Sequence, residues 1–287
     1  MRFFILVIFS FLVQFSFAQK VDKQLQKEVE ALFAGFKGVA GVHILHLKSG
    51  RTVSINADTV FPTASMVKIP ILIGIMDKLR TGELNYHQEL MYRDSLLYPG
   101  VDILGSFKDS SKVELSKVIM LMLTTSDNTA SLWLQSLAGT GTRINQLLDS
   151  MGFRFTRVNS RTPGREENRT QYGWGQTTPR EMVQLMEKIY SGDILDKNTS
   201  AKMLRLLGRN YWDEVAISEI PPHIFVASKN GAVDETRSEV LLVMAPKSPY
   251  IFSINTKDQA DSSWEPGNEG WILARKLSAL LWKHYSK

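Results

Sequence analysis

Phe61-Pro62-Thr63-Ala64-Ser65-Met66-Val67-Lys68 runs directly into Ile69-Pro70-Ile71-Leu72-Ile73-Gly74-Ile75-Met76, a polar approach followed by an apolar segment. The pattern reads as a loop entering a helix, with a serine and a lysine near its start. On a helix a spacing of i, i+3 puts both side chains on one face, close enough for the amine to share the hydroxyl's proton. A serine hydroxyl is a poor nucleophile until a neighbouring base takes that proton, and Lys68 can serve Ser65 in this way. A capped helix start with a solvated lysine has the same short signature, so the pair needs support from elsewhere in the chain.

Outward from this stretch the hydrophobic periods divide the chain into two kinds of region. Residues 21–36 are amphipathic at helical spacing, residues 38–47 alternate with β-branched side chains, and residues 52–55 return after a turn at Lys48-Ser49-Gly50-Arg51. The helix that begins near Ser65 runs to about Leu79 and stops at Thr81-Gly82. Residues 83–111 are irregular; helices follow over 113–123, 128–137 and 144–151, with Thr124-Thr125-Ser126-Asp127 interrupting the first two. Residues 153–178 read as a long loop, then Pro179 opens a helix over 180–190, and another covers 198–207. Strand patterns return over 224–227, 239–245 and 250–254, and residues 271–285 form a last amphipathic helix.

Sheet-forming segments thus lie at both ends and helices in the middle. This predicts an α+β architecture: an antiparallel sheet flanked by terminal helices (about 19–56 and 214–287) and an all-helical lobe (about 57–213). The catalytic unit covers 19–287, with a cleft between the lobes where Ser65 enters its helix.

Composition narrows the chemistry. The chain has 287 residues, no cysteine and five histidines, so disulfides, thiolate nucleophiles and cysteine-ligated zinc are excluded. His43 and His46 lie three apart in a strand pattern and point to opposite faces, and no histidine motif suggests a metal. No cofactor or metal is expected. The net charge of +5 is scattered, without a basic run, so no nucleic-acid partner is expected. Residues 1–18 have a basic start, an apolar stretch and small Ser16 and Ala18 at the end, the pattern of an export signal cleaved after Ala18. The apolar run is too short to span a bilayer. The mature protein is expected to be a periplasmic or secreted monomer without a membrane anchor.

Two further segments give Ser65 its context: Ser126-Asp127-Asn128 at a helix–helix break, and Ser228-Lys229-Asn230-Gly231 at a strand end. Each is common alone, as a cap and as a turn. In this order the chain resembles the penicillin-recognising serine hydrolases, most closely class A β-lactamases, whose set is S-x-x-K, S-D-N and K-T-G. Here Asn230 replaces the threonine. Phe61-Pro62, Thr129-Ala130 and Thr177-Thr178-Pro179-Arg180-Glu181-Met182 extend the similarity to roughly residues 25–285.

The resemblance implies a β-lactamase/transpeptidase-like fold and an acyl-serine intermediate on Ser65. It implies Lys68 as proton acceptor, Ser126 as relay to the leaving nitrogen, and Lys229 as the positive charge near it. Asn128 would hold the substrate's side-chain amide, and the backbone N–H groups of Ser65 and Ala232, just after Gly231, would form an oxyanion hole. Ser228 and Asn230, with Arg237 as a further cation, would bind a carboxylate. The implied ligand is a small-molecule β-lactam or a peptidoglycan stem peptide.

The loop departs from the pattern. With Arg161 and Thr177-Thr178-Pro179 fixing the register, Pro163 occupies the place of the deacylating glutamate, and Glu166 and Glu167 fall late. Glu166 is a base only if the loop is shifted. Without a base the protein would be a penicillin-binding D,D-peptidase or related hydrolase with weak β-lactamase activity, or a sensor that acylates without turnover.

Overall fold

In the computed structural model, residues 20–100 and 102–286 are described; the export signal read over 1–18 lies outside them. Helix α1 (Lys23–Phe33) is capped by Asp22, which accepts the Leu25 N–H, and buries Leu25 and Val29. Strands β1 (Val39–His46) and β2 (Thr52–Ile55) form the expected hairpin. Strand β3 (Phe61–Pro62) leads through a 3₁₀ turn, Ala64–Val67, into α2 (Lys68–Arg80). Strands β4 (Glu89–Met91) and β5 (Lys112–Glu114) pair across the segment that periodicity leaves irregular. Helices α3 (Leu115–Thr124), α4 (Asn128–Leu137) and α5 (Thr140–Ser150) follow.

The stretch expected to be one long loop contains β6 (Arg157–Val158), α6 (Glu166–Tyr172) and β7 (Gly175–Thr177). No residue of α6 is buried, so it has no apolar stripe for periodicity to detect. Helices α7 (Pro179–Ser191) and α8 (Lys197–Leu207) complete the helical part. Strands β8 (Val226–Val233), β9 (Thr236–Val243) and β10 (Tyr250–Lys257) precede α9 (Glu269–Tyr285). Ser228-Lys229-Asn230-Gly231, expected at a strand end, lies inside β8.

The main sheet has the order β2-β1-β10-β9-β8, antiparallel throughout, so the first and last parts of the chain share it. Its side chains alternate between two cores. Leu241, Val243, Phe252 and Ile254 pack against α1 and α9 through Leu25, Val29, Leu273 and Leu277. Val240, Leu242 and Ile251 belong to the larger core built around α2. Helix α2 is buried from Lys68 to Asp77 on every side, which explains its all-round apolar sequence. Each buried Ile or Leu there contributes about 1.5–3 kcal/mol. The first residue of this rigid helix is Lys68.

Candidate active site

The nucleophile turn is fixed from several sides. Ala64 has φ +44°, an unusual backbone for a residue with a side chain, and Met66 and Val67 anchor the turn in the core. Strand β7 pairs with β3, and Thr63 N–H donates to Gly175 O at 2.9 Å. A side chain at Gly175 would meet Val67 Cγ2 at 2.6 Å, so the segment before α7 presses directly on the turn. Ser65 is left half-buried, facing the cleft.

Lys68 is fully enclosed. Its Nζ lies 3.0 Å from Ser65 Oγ, 2.9 Å from Ser126 Oγ, 2.6 Å from Ser126 O and 2.9 Å from Asn128 Oδ1. Four oxygens exceed the three N–H donors of an ammonium, so one hydroxyl contact is free to run the other way, the hydroxyl donating to a neutral amine. Burial holds the Lys68 amine well below its ordinary value, and the like charge of Lys229 adds to the effect; Asp102 and Asp127 oppose it. The pair read from i, i+3 spacing is therefore a hydroxyl beside an amine poised to lose its charge.

The Ser126-Asp127-Asn128 corner owes its shape to two carboxylates. Ser126 adopts φ +63°, a strained position that aims both its carbonyl and its hydroxyl at Lys68. Asp127 caps α4 by accepting Ala130 N–H at 2.7 Å and also accepts Leu104 N–H at 2.8 Å. Asp102 accepts the N–H groups of Asn128 and Thr129 at 3.0 and 2.8 Å. Sequence reading missed Asp102, because nothing in its irregular segment marks it as a partner of residues more than twenty positions on.

Strand β8 forms the opposite wall. Lys229 is fully buried, and burial lowers it to about 7, with Glu239 opposing. Its Nζ donates to Asn230 O at 2.8 Å and Asn230 Oδ1 at 3.1 Å. A Cβ on Gly231 would lie 2.6 Å from Thr63 O and 2.7 Å from Ser65 N, so only glycine lets this strand meet the nucleophile turn. The backbone of Gly231, the residue before Ala232, is thereby brought against that of Ser65. Asn210, which the sequence reading also missed, donates from Nδ2 to Ser228 Oγ at 3.0 Å and lies 3.5 Å from Asn230 Oδ1.

Arg237 is buried and held by other partners. In the β8–β9 register it pairs with Ala232, on the sheet face that Asn230 shares through its pairing with Glu239, and it lines a small cavity with Asn230 and Gly231. Its guanidinium donates to the carbonyls of Asp234, Thr236 and Ser263 and lies over the rings of Trp264 and Trp271. These carbonyls and rings engage the cation that the resemblance implied for the carboxylate site.

Glu166 is also displaced. It opens α6 on the exposed outer side of the loop and accepts Gly164 N–H at 3.1 Å; Glu167 is exposed beside it. The charges acting on Lys68 are Lys229, Asp102 and Asp127, not these glutamates. Inside the loop amides and an arginine take over: Arg165 donates to Asn159 Oδ1 at 2.9 Å and Gln176 Oε1 at 2.7 Å. Ser160 Oγ donates to Gln135 Oε1 at 2.9 Å. Arg161, assumed to set the register, is exposed at φ +47°. Among the described residues no cluster of His, Asp and Glu could hold a metal, and no helix is long and apolar enough to cross a membrane.

Residues 24–285 match the family described as "Beta-lactamase enzyme family". Among curated relatives, β-lactamase AER-1 of Aeromonas hydrophila is 24% identical over 253 residues, covering 87% of this chain and 82% of that protein. The β-lactamase regulatory protein BlaB of Streptomyces cacaoi is 29% identical over 135 residues, 46% of this chain but only 42% of that protein's length. Among solved structures, that of PBP-A aligns with a TM-score of 0.82 at 25% identity, covering 93% of this chain and 97% of PBP-A.

Proposed function

The chain belongs to the beta-lactamase enzyme family, and from that premise we propose that it is a class A-type serine hydrolase that opens β-lactam rings through an acyl-serine intermediate. One observation carries the reading: the buried Lys68 amine lies within 3.0 Å of Ser65 Oγ and 2.9 Å of Ser126 Oγ. A base thus touches both the nucleophile and a hydroxyl able to pass the proton on.

Neutral Lys68 takes the Ser65 proton as Oγ bonds to the lactam carbonyl carbon. The carbonyl oxygen becomes an oxyanion, held by the N–H groups of Ser65 and Ala232. When this adduct collapses the C–N bond breaks, and the nitrogen takes a proton from Ser126, which recovers one from Lys68. The net change is one proton moved from Ser65 to nitrogen and one ester formed on Ser65. Asn128 binds the substrate's side-chain amide, and Ser228 and Asn230 bind its carboxylate beside Lys229. Water then hydrolyses the ester and frees Ser65.

A second reading draws support from the exposed positions of Glu166 and Glu167. With no loop glutamate beside Ser65, the ester would be long-lived, as in a penicillin-binding D,D-peptidase or a sensor. Intact-mass measurement over minutes to hours after mixing with a penicillin separates the two. A transient adduct with accumulating product supports the β-lactamase; a lasting adduct supports the second reading. No adduct in a folded sample overturns both. We also infer export, with the mature chain beginning at Gln19; a purified native protein that retained Met1 would contradict this.

A further inference from the structure

The segment that joins α8 to the main sheet carries Tyr211 and Trp212, which remain 65% and 44% exposed although they are among the largest apolar side chains of the protein. Exposed aromatics of this size mark a contact surface when they are also held still. Here they are. Trp212 Nε1 donates to Thr125 O at 3.0 Å, and Tyr211 N–H donates to Thr124 O at 3.0 Å. Trp212 N–H donates to Asn210 Oδ1, and the two rings meet edge to face with centroids 5.2 Å apart.

The anchor points define where these rings stand. Thr124 and Thr125 lead directly into Ser126, and Asn210 bonds Ser228 Oγ at 3.0 Å. The segment therefore bridges the Ser126 corner and strand β8. In the reaction proposed above, that is the side of the lactam nitrogen and its carboxylate, opposite the Asn128 side that takes the acyl substituent. The rings add nothing to the two cores, since neither belongs to them. Fixed, half-exposed π faces beside a polar cleft offer contact area whose ordering cost is already met before a ligand arrives.

We propose that Tyr211 and Trp212 form an aromatic wall that selects β-lactams bearing a planar or aromatic substituent on the ring fused at the lactam nitrogen. The inference rests on the β-lactam reading of the site. Two cephalosporins with the same acyl side chain test it, one with an aryl-vinyl group at C3 and one with a methyl group there. A stacking contact of this kind is worth about 0.5–1.5 kcal/mol, so the aryl compound should acylate the wild-type protein about 2–10-fold faster, judged by second-order rate constants. Trp212→Ala should bring the ratio of the two rates close to one, and Tyr211→Ala should lower it. Trp212→Phe keeps a ring but loses the Nε1 hydrogen bond, and should retain part of the preference.

Equilibrium binding of the same two compounds to Ser65→Ala, with and without Trp212→Ala, supplies a readout free of chemistry. Tighter binding of the aryl compound that vanishes without Trp212 supports the wall even if acylation fails. Acylation of the wild type with a ratio that ignores all three substitutions overturns the wall and leaves the reaction standing. Neither acylation nor a Trp212-dependent binding difference overturns both.

Discussion

An amine enclosed against two hydroxyls and an amide oxygen, with a second lysine nearby, is held ready to be neutral. Lys68→Arg keeps the length and fixes the charge, because a guanidinium does not give up its proton. Acylation by a penicillin should then fall about 10²–10⁴-fold, the usual worth of a positioned base; a rate within a few-fold of wild type would remove Lys68 from that role. Acidification acts in the same direction. Since burial depresses Lys68 in the fold, its neutral form is lost as pH falls through the lowered value, and the acylation rate should fall with it. Ser65, Lys68, Ser126 and Asn128 were legible in the sequence because short local spacings carry them. Asp102 and Asn210 were not, because each reaches the site only through the tertiary fold. Asp102→Ala removes two backbone bonds to a carboxylate and should cost about 1–3 kcal/mol of stability. It should also slow acylation by loosening Asn128; thermal unfolding and the acylation rate check both effects.

At the scale of elements, strand β8 was the hardest to read. Its polar Ser-Lys-Asn-Gly looks like a turn because an edge strand facing a cleft lacks the apolar alternation of a buried one. Behind it, Glu239 is fully enclosed on β9, accepts Ala216 N–H at 3.1 Å, and is pushed up by burial from 4.5 to about 7. A carboxyl raised in this way keeps its proton in the fold while the unfolded chain has lost it. Stability should therefore fall as pH rises from 4.5 to about 7, with the full loss present above that. Glu239→Gln should remove this dependence, so melting curves of the variant and wild type should diverge more at pH 7 than at pH 4.5. Equal divergence at both values would show that Glu239 is ionised alike in both states. The segment containing α6 was misread as structureless because its helix is polar on every side, and its register was misjudged because Arg165, not Arg161, holds the interior. Glu166→Gln should leave the lifetime of any acyl-enzyme within about twofold of wild type, as for an exposed surface change. A tenfold longer lifetime would bring that glutamate back into the chemistry.

Across the whole molecule, the two-ended sheet was legible because strand periods at both termini leave one economical way to bury them. Pairing β1 with β10 closes the sheet, and two cores on its faces hold β8 against the start of α2. That junction, where Gly231 meets Ser65, is where chemistry becomes possible. Time-resolved intact mass of the wild-type protein and of Ser65→Ala, each mixed with benzylpenicillin, tests the account most directly. Wild type should gain the mass of one opened penicillin, mapped by peptide digestion to the segment containing Ser65, while Ser65→Ala gains none. An equal adduct on Ser65→Ala, or none on correctly folded wild type, would contradict the assignment of Ser65 as the nucleophile.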